Sequence, residues 1–76
     1  MKTLVQKFAF DTSRNPPEYC EHIFAAVDGG LEHYTDGTLR AQVPEISLAE
    51  YLSSRNLAQV LDDSERLVIA EAFSDL

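Results

Sequence analysis

Cys20, His22 and His33 are the side chains with the chemistry for nucleophilic catalysis or transition-metal binding. A Cys–His nucleophile requires the two side chains to lie within hydrogen-bond reach. We predict a helix over residues 16–28, in which positions i and i+2 point about 200° apart and do not meet. Cys20 then lies on the apolar stripe of this helix as a small buried hydrophobic residue. The sequence therefore predicts no catalytic residue and a protein that is not an enzyme.

The sequence also lacks recognisable metal-binding and cofactor-binding motifs. The two histidines lack a recognised ligand spacing, and one cysteine is too few for a structural zinc site. The run Asp62-Asp63-Ser64-Glu65 lacks the alternating ligands and central glycine of an EF-hand loop. It is typical of a helix start, because early acids compensate free amides and the helix dipole. We therefore expect no metal ligand and no cofactor.

The charge is strongly acidic and unevenly distributed. The 76 residues include 13 Asp and Glu against 6 Lys and Arg, a formal net charge of −7. Residues 45–76 hold seven of the acids and two of the bases, a net charge of −5. Direct binding to nucleic acid or to an anionic membrane is disfavoured, because both require clustered Lys and Arg. The charge favours a partner protein with a basic surface, although solubility alone also accounts for it.

We predict that partner binding depends on exposed carboxylates that pair with Arg or Lys. The first set lies in the second half of the chain: Glu50, Asp62, Asp63, Glu65 and Glu71. The second set lies on the predicted helix 16–28: Glu18, Glu21 and Asp28. Each exposed pair contributes only about 0–1 kcal/mol, so affinity requires several pairs together or a buried apolar anchor.

The first half of the chain predicts one strand and one helix. Residues 3–10 alternate as a strand that turns Leu4, Phe8 and Phe10 toward the core. Asn15-Pro16-Pro17-Glu18 favours a helix start through its N-cap, first-turn prolines and early acid. Gly29-Gly30 favours the end of that helix.

A β-hairpin is predicted over residues 31–43, with Asp36-Gly37 as its two-residue turn. This register pairs Thr35 with Thr38, Tyr34 with Leu39 and His33 with Arg40. The outer, solvated face of the sheet is then expected to carry His33, Arg40 and Gln42.

Two or three helical segments should follow the hairpin. A capping box at Ser47–Glu50, with Ile46 and Tyr51 as a hydrophobic staple, predicts a helix over 48–54. Asn56 ends this helix or caps a further turn over 57–61. Asp62 or Asp63 caps the last helix, over 64–74. We expect Leu67 to be buried on that helix, with exposure to a partner as the alternative.

Together these elements predict one α+β domain over residues 1–76, in the order β-α-β-β-α-α. A three-stranded, mainly antiparallel sheet is expected to be covered on one face by helices. The single cysteine excludes an internal disulfide and fits a reducing compartment. No stretch approaches the ~18 apolar residues of a membrane span, and the N-terminus does not fit a signal peptide. We expect a cytoplasmic protein.

The expected function is that of a small acidic protein-binding module, an inhibitor or adaptor. It would dock on a basic surface of a larger, possibly nucleic-acid-binding protein, where carboxylates stand in for phosphates. In size and acidity it is similar to phage-encoded inhibitors of CRISPR or restriction enzymes, bacterial immunity proteins and antitoxins, although no motif carries the likeness. The alternatives are an assembly subunit that associates through the open sheet face, as a homodimer or in a complex, and a small enzyme or metal-binding protein using Cys20 or a histidine.

Overall fold

The computed structural model describes residues 2–12, 14–54, 57 and 59–74. It contains one antiparallel sheet whose strands follow chain order: β1 (Lys2–Asp11), β2 (Glu18–Val27), β3 (Gly30–Thr35) and β4 (Thr38–Pro44). A 3₁₀ turn (Glu45–Ser47) leads into α1 (Leu48–Leu52), and α2 (Asp63–Ala72) follows. The α+β class is therefore confirmed, whereas the prediction of three strands was wrong.

Strand β2 occupies the segment predicted as a helix over 16–28, so that prediction was wrong. Cys20, His22 and Phe24 are buried and lie two residues apart, which is the periodicity of a strand. In the sequence the polar His22 conceals this alternation, and the remaining apolar residues also fit a helical stripe. Pairing with β1 over nearly the whole length of both strands satisfies their backbone groups and outweighs the helix-start signal.

Strand β1 lies where it was predicted, and Leu4 packs against the core as expected. From Val5 onward, after a register shift between Thr3 and Val5, its faces are reversed. Lys7 lies opposite His22 and Ala9 opposite Cys20, and side chains directly opposite each other share one face of the sheet. The face that carries the buried residues of β2, called the inner face below, therefore takes the odd-numbered residues of β1 from Val5 onward. Phe8 and Phe10, predicted to be in the core, are exposed on the other, outer face.

The hairpin of β3 and β4 confirms most of the predicted register. Asp36 and Gly37 form the turn, both with positive φ, and the pairs Thr35–Thr38 and Tyr34–Leu39 are present. The predicted pair His33–Arg40 was wrong, because a register shift between His33 and Tyr34 brings Ala41 opposite His33. His33 lies opposite Phe24 of β2 and is therefore buried on the inner face instead of lying on the solvated one.

The helices match the predictions in position but not in every cap. Asp62 accepts from the backbone amide of Glu65, whose side chain accepts from the Asp62 amide, so a capping box begins α2. Ser47 makes no capping bond, because the chain enters α1 directly from the 3₁₀ turn. Ile46 is exposed, so the predicted staple with Tyr51 was wrong. The proposed cap Asn56 lies outside the described residues.

The core lies between the inner face of the sheet and the segment from α1 to α2. It joins four residues of the sheet to six that follow it: Val5, Phe24, Leu31, Val43, Leu48, Leu52, Leu57, Val60, Leu61 and Ile69. Lys7 Nζ adds a polar link across this layer, donating to the Val60 carbonyl and to Glu65 Oε1 at 2.6 Å each. Leu67, predicted to be buried, is 57% exposed. Within the described chain, no helix has the length and apolar character needed to cross a bilayer.

The two glycines at the turn between β2 and β3 provide a test of how closely β3 and β4 approach each other. A Cβ added at Gly30 would lie 2.0 Å from the carbonyl oxygen of Val43 on β4, whereas one at Gly29 meets nothing within 4 Å. Gly29 has a left-handed φ of +84°. We expect Gly29→Ala to reduce the free energy of unfolding by about 1 kcal/mol. Gly30→Ala should cost about 3 kcal/mol, because β3 and β4 must separate. Urea denaturation of both variants measures this, and equal losses would contradict the close strand approach.

Candidate functional site

A cluster of polar side chains is buried between the inner face of the sheet and α1. It consists of the buried residues Asp11 at the end of β1, Cys20 and His22 on β2 and His33 on β3, together with the half-buried Tyr51 on α1. The prediction that Cys20 and His22 point apart was wrong, because residues i and i+2 of a strand lie on one face. Cys20 Sγ lies 3.4 Å from His22 Nε2.

Hydrogen bonds join this cluster from one end to the other. His22 Nδ1 lies 2.9 Å from His33 Nε2, and His33 Nδ1 lies 2.9 Å from Tyr51 Oη. The Cys20 thiol is placed to donate to Asp11 Oδ2 at 3.8 Å. A neutral imidazole has one donor and one acceptor nitrogen, so the tautomers of the two histidines are coupled.

Aromatic stacking holds the histidine rings in place. The rings of Phe24 and His33 stack with centroids 4.1 Å apart, and those of His22 and His33 with centroids 5.2 Å apart. The Phe24 side chain is fully buried. The positions of the ring nitrogens are therefore fixed by core packing as well as by hydrogen bonds.

Burial keeps the two histidines and the thiol of the cluster uncharged at neutral pH. Desolvation, together with the neighbouring His22, lowers the pKa of His33 to about 4. Desolvation also lowers the pKa of His22, against the opposing effects of Asp11 and the Ala9 backbone. Burial and then Asp11 raise the pKa of the Cys20 thiol. A reactive cysteine needs an accessible thiolate, so this buried thiol is a poor nucleophile despite its contact with His22.

A cavity of about 220 Å³ opens beside the cluster. Among the residues that line it are Asp11, His22, His33, Tyr51 and Arg40. Arg40 Nη1 donates to Thr35 Oγ1 at 3.4 Å. The cavity thus combines acceptor, donor and cationic groups, and it has room for a few waters or a small polar ligand.

The outer face of the sheet carries a second feature, an exposed aromatic cluster formed by Phe8, Phe10 and Tyr19. Phe8 is 70% exposed, Tyr19 63% and Phe10 42%. Tyr19 stacks on Phe8 with centroids 6.1 Å apart and contacts Phe10 edge to face at 5.1 Å. The three rings form one ordered surface on β1 and β2.

The carboxylates predicted on one helix do not share one surface. Glu18 pairs with Arg14 at 2.7 Å, and Glu21, on the outer face, accepts from Gln6 Nε2 at 3.0 Å. Asp28 lies beyond the opposite end of β2, about 30 Å of extended chain from Glu18. These residues therefore cannot act as the single second patch that a helix would have provided.

The five carboxylates of the first set lie in the helical segment, and two of them have structural roles. Asp62 and Glu65 form the capping box of α2, and Glu65 also pairs with Lys7 at 2.6 Å. Asp63 pairs with Arg66, and Glu50 and Glu71 are exposed. Glu50, Asp63 and Glu71 thus remain as acidic surface residues whose substitution leaves the capping box intact.

Sequence reasoning missed Asp11, Tyr51 and the exposed aromatic cluster as functional candidates. The alternation of Cys20, His22 and Phe24 was the available signal, because a strand at 18–27 places them on one face and Tyr19 on the other. Comparison with models of known protein families, with curated proteins and with solved structures finds no significant match to this chain. The candidate sites therefore rest on their own geometry.

The depressed pKa of His33 makes stability depend on pH. In the unfolded chain the histidine binds a proton below about pH 6.5, but the folded protein, with a pKa of about 4, does not. The contribution of neutral His33 to the free energy of unfolding is therefore complete above pH 6.5. It decreases as the pH falls toward 4, with a loss of about 3 kcal/mol at pH 4. His22, Asp11, Arg40 and Tyr51 surround the ring, and His22 adds to the effect in the same direction.

The measurement is urea denaturation between pH 7 and pH 4, with chelator present, of the wild type and His33→Gln. We expect a flatter pH dependence in the variant, whatever its absolute stability. An identical slope in both proteins would show that His33 is not held neutral by burial.

Proposed function

We propose that this chain is a non-catalytic protein-binding module, an inhibitor or adaptor that docks through its outer sheet face on a basic surface of a larger protein. The observation that carries the proposal is the exposed aromatic cluster of Phe8, Phe10 and Tyr19. Large aromatic side chains dominate interface energetics, and their exposure gains nothing in the free protein. Covering them on binding supplies the apolar anchor that scattered charge pairs lack.

The size of the surface supports this role. At their exposed fractions the three residues present roughly 350 Å² of surface, within the range of the largest apolar patch on a typical monomer, which is often a binding site. Leu39 on β4 is also exposed, and Tyr34, its cross-strand partner on β3, is partly exposed. Exposed or partly exposed apolar residues therefore lie on all four strands of the outer face.

The charges on this face favour a basic partner. Glu21 and Glu32 lie on the outer face, where their carboxylates accept from the neutral donors Gln6, Tyr34 and Gln42. Their negative charge is therefore available to Lys or Arg at the rim of an interface, where such charges increase the association rate and the specificity. A second copy of this chain would bring the same acids, on a net charge of −7, so a different protein is the favoured occupant.

Exposed aromatics on an open sheet also serve as base-stacking platforms in RNA-binding domains. Those platforms combine the rings with a positively charged groove that follows the phosphates. The acidic residues beside these rings, with 13 acids against 6 bases in the chain, favour a protein partner instead.

The test is a comparison of two variants by quantitative capture from lysate and then by titration with the recovered partner. Phe8→Thr with Tyr19→Thr removes two rings while keeping residues that suit strands. Glu50→Gln with Asp63→Asn and Glu71→Gln removes three exposed carboxylates from the helical segment, leaves the outer face unchanged and serves as the comparison variant. We expect the first variant to weaken binding at least ~30-fold, about 2 kcal/mol, and the second to change it less than ~3-fold.

The opposite pattern, with loss only in the acid variant, would assign binding to the helical segment and contradict the outer-face proposal. Sedimentation of the free protein tests whether the outer face instead joins two copies of this chain. A wild-type dimer that the ring variant converts to monomer would show that the face joins two copies of this chain.

A further inference from the structure

Three potential metal ligands converge where β1 ends against β2. The carboxylate of Asp11, the Sγ of Cys20 and a ring nitrogen of His22 all lie within 4.8 Å of one another, and all three residues are buried. Acidic side chains are rarely buried in protein cores unless they are paired or bind a metal. This arrangement is independent of the outer face and of the function proposed for it.

The distances are close to those of a tetrahedral site. With ordinary zinc bond lengths, adjacent ligand atoms lie about 3.3–3.6 Å apart. Cys20 Sγ lies 3.4 Å from His22 Nε2 and 3.8 Å from Asp11 Oδ2. The ligand atoms of Asp11 and His22 lie within 4.8 Å of each other. A metal ion between the three atoms therefore requires side-chain adjustments of up to about an ångström and no change of strand register.

The contact made by Nδ1 of His22 matches that of a metal ligand. A ligating histidine usually donates its second ring N–H to an outer-shell acceptor, which fixes the tautomer. Here His22 Nδ1 faces His33 Nε2 at 2.9 Å, and His33 Nδ1 faces Tyr51 Oη at 2.9 Å. With Nε2 on the metal, both histidines adopt the Nδ1–H tautomer, and the hydrogen bonds run in one direction toward Tyr51.

The cavity provides the next coordination position. Asp11 and His22 both line the space of about 220 Å³ beside the cluster. A zinc site with three protein ligands and one position open to water or a small ligand has this form. Thiolate and imidazole ligands favour zinc and similar transition metals over Mg²⁺ and Ca²⁺, which prefer oxygen.

We propose that Asp11, Cys20 and His22 bind a divalent transition metal of the Zn²⁺ class, with His33 as the outer-shell partner of His22 and the fourth position open to the cavity. Binding at Cys20 Sγ displaces the thiol proton to solvent, and no redox step is involved. A metal at this site links the C-terminal end of β1 to the N-terminal half of β2.

Cobalt substitution tests the site directly. Untagged protein, freed of metal by chelation, is titrated with Co²⁺ in the presence of excess Ca²⁺, which occupies oxygen-only surface sites. We expect one Co²⁺ per chain, visible absorption of tetrahedral cobalt and a sulfur-to-cobalt charge-transfer band in the near ultraviolet. Zn²⁺ should displace the cobalt and raise the melting temperature by roughly 10 °C at a hundredfold excess over its Kd.

Variants separate the ligands from their surroundings. Cys20→Ser should abolish the charge-transfer band, and Asp11→Asn or His22→Gln should abolish the tetrahedral spectrum. His33→Gln should weaken binding about 10–100-fold while keeping the band. Thr35→Val is the matched control, because Thr35 is a buried residue that lines the same cavity but is not a proposed ligand.

Circular dichroism of each metal-free variant verifies that it folds. The wild-type spectrum decides the proposal even if a variant does not fold, because the charge-transfer band requires a thiolate on the metal and the chain has one cysteine. Absence of that band in the folded wild type, or its persistence in both Asp11→Asn and His22→Gln, would overturn the assignment.

Discussion

The antiparallel pairing of β1 with β2 is the constraint on which the rest of the structure depends. It sets Lys7 opposite His22 and Ala9 opposite Cys20, and so decides which side chains face the core. A slip of β1 by one residue would exchange its two faces, placing Phe8 and Phe10 inside and moving Lys7, Ala9 and Asp11 to the outer face. The two candidate sites of this protein are therefore opposite faces of one strand pair.

The inner face buries polar groups that would destabilise the fold if they were left unpaired. Buried polar groups destabilise a core unless every one of them is hydrogen-bonded, and a satisfied network makes the packing specific. Among the described residues, no buried side-chain nitrogen or oxygen lacks a hydrogen-bond partner. Stacking of His33 on Phe24 joins this network to the apolar core. The outer face has the opposite character, with rings that gain most when a partner covers them.

Local signals predicted the parts of the fold that local chemistry controls. The Asp36-Gly37 turn, the strand at β1 and the Asp62 cap of α2 follow from turn propensity, alternation and capping, and all three are present. The segment 18–27 could not be assigned in this way, because buried His22 hides the two-residue period.

The segment 18–27 forms a strand because it pairs with β1, and the residues of the segment alone do not show this pairing. Because the segment was predicted as a helix, the candidate site that depends on the strand was missed as well. Burial of His33 likewise depends on the pairing of β3 with β2, which sets His33 opposite Phe24 and which the residue types alone do not indicate. The most direct test of the account is nuclear Overhauser spectroscopy of the labelled protein. It predicts contacts between residues 5–10 and 19–24, including Phe10 with Tyr19, whose ring centroids lie 5.1 Å apart. A series of contacts between residues i and i+3 along 18–27, without contacts to β1, would show that this segment is a helix and would contradict the account.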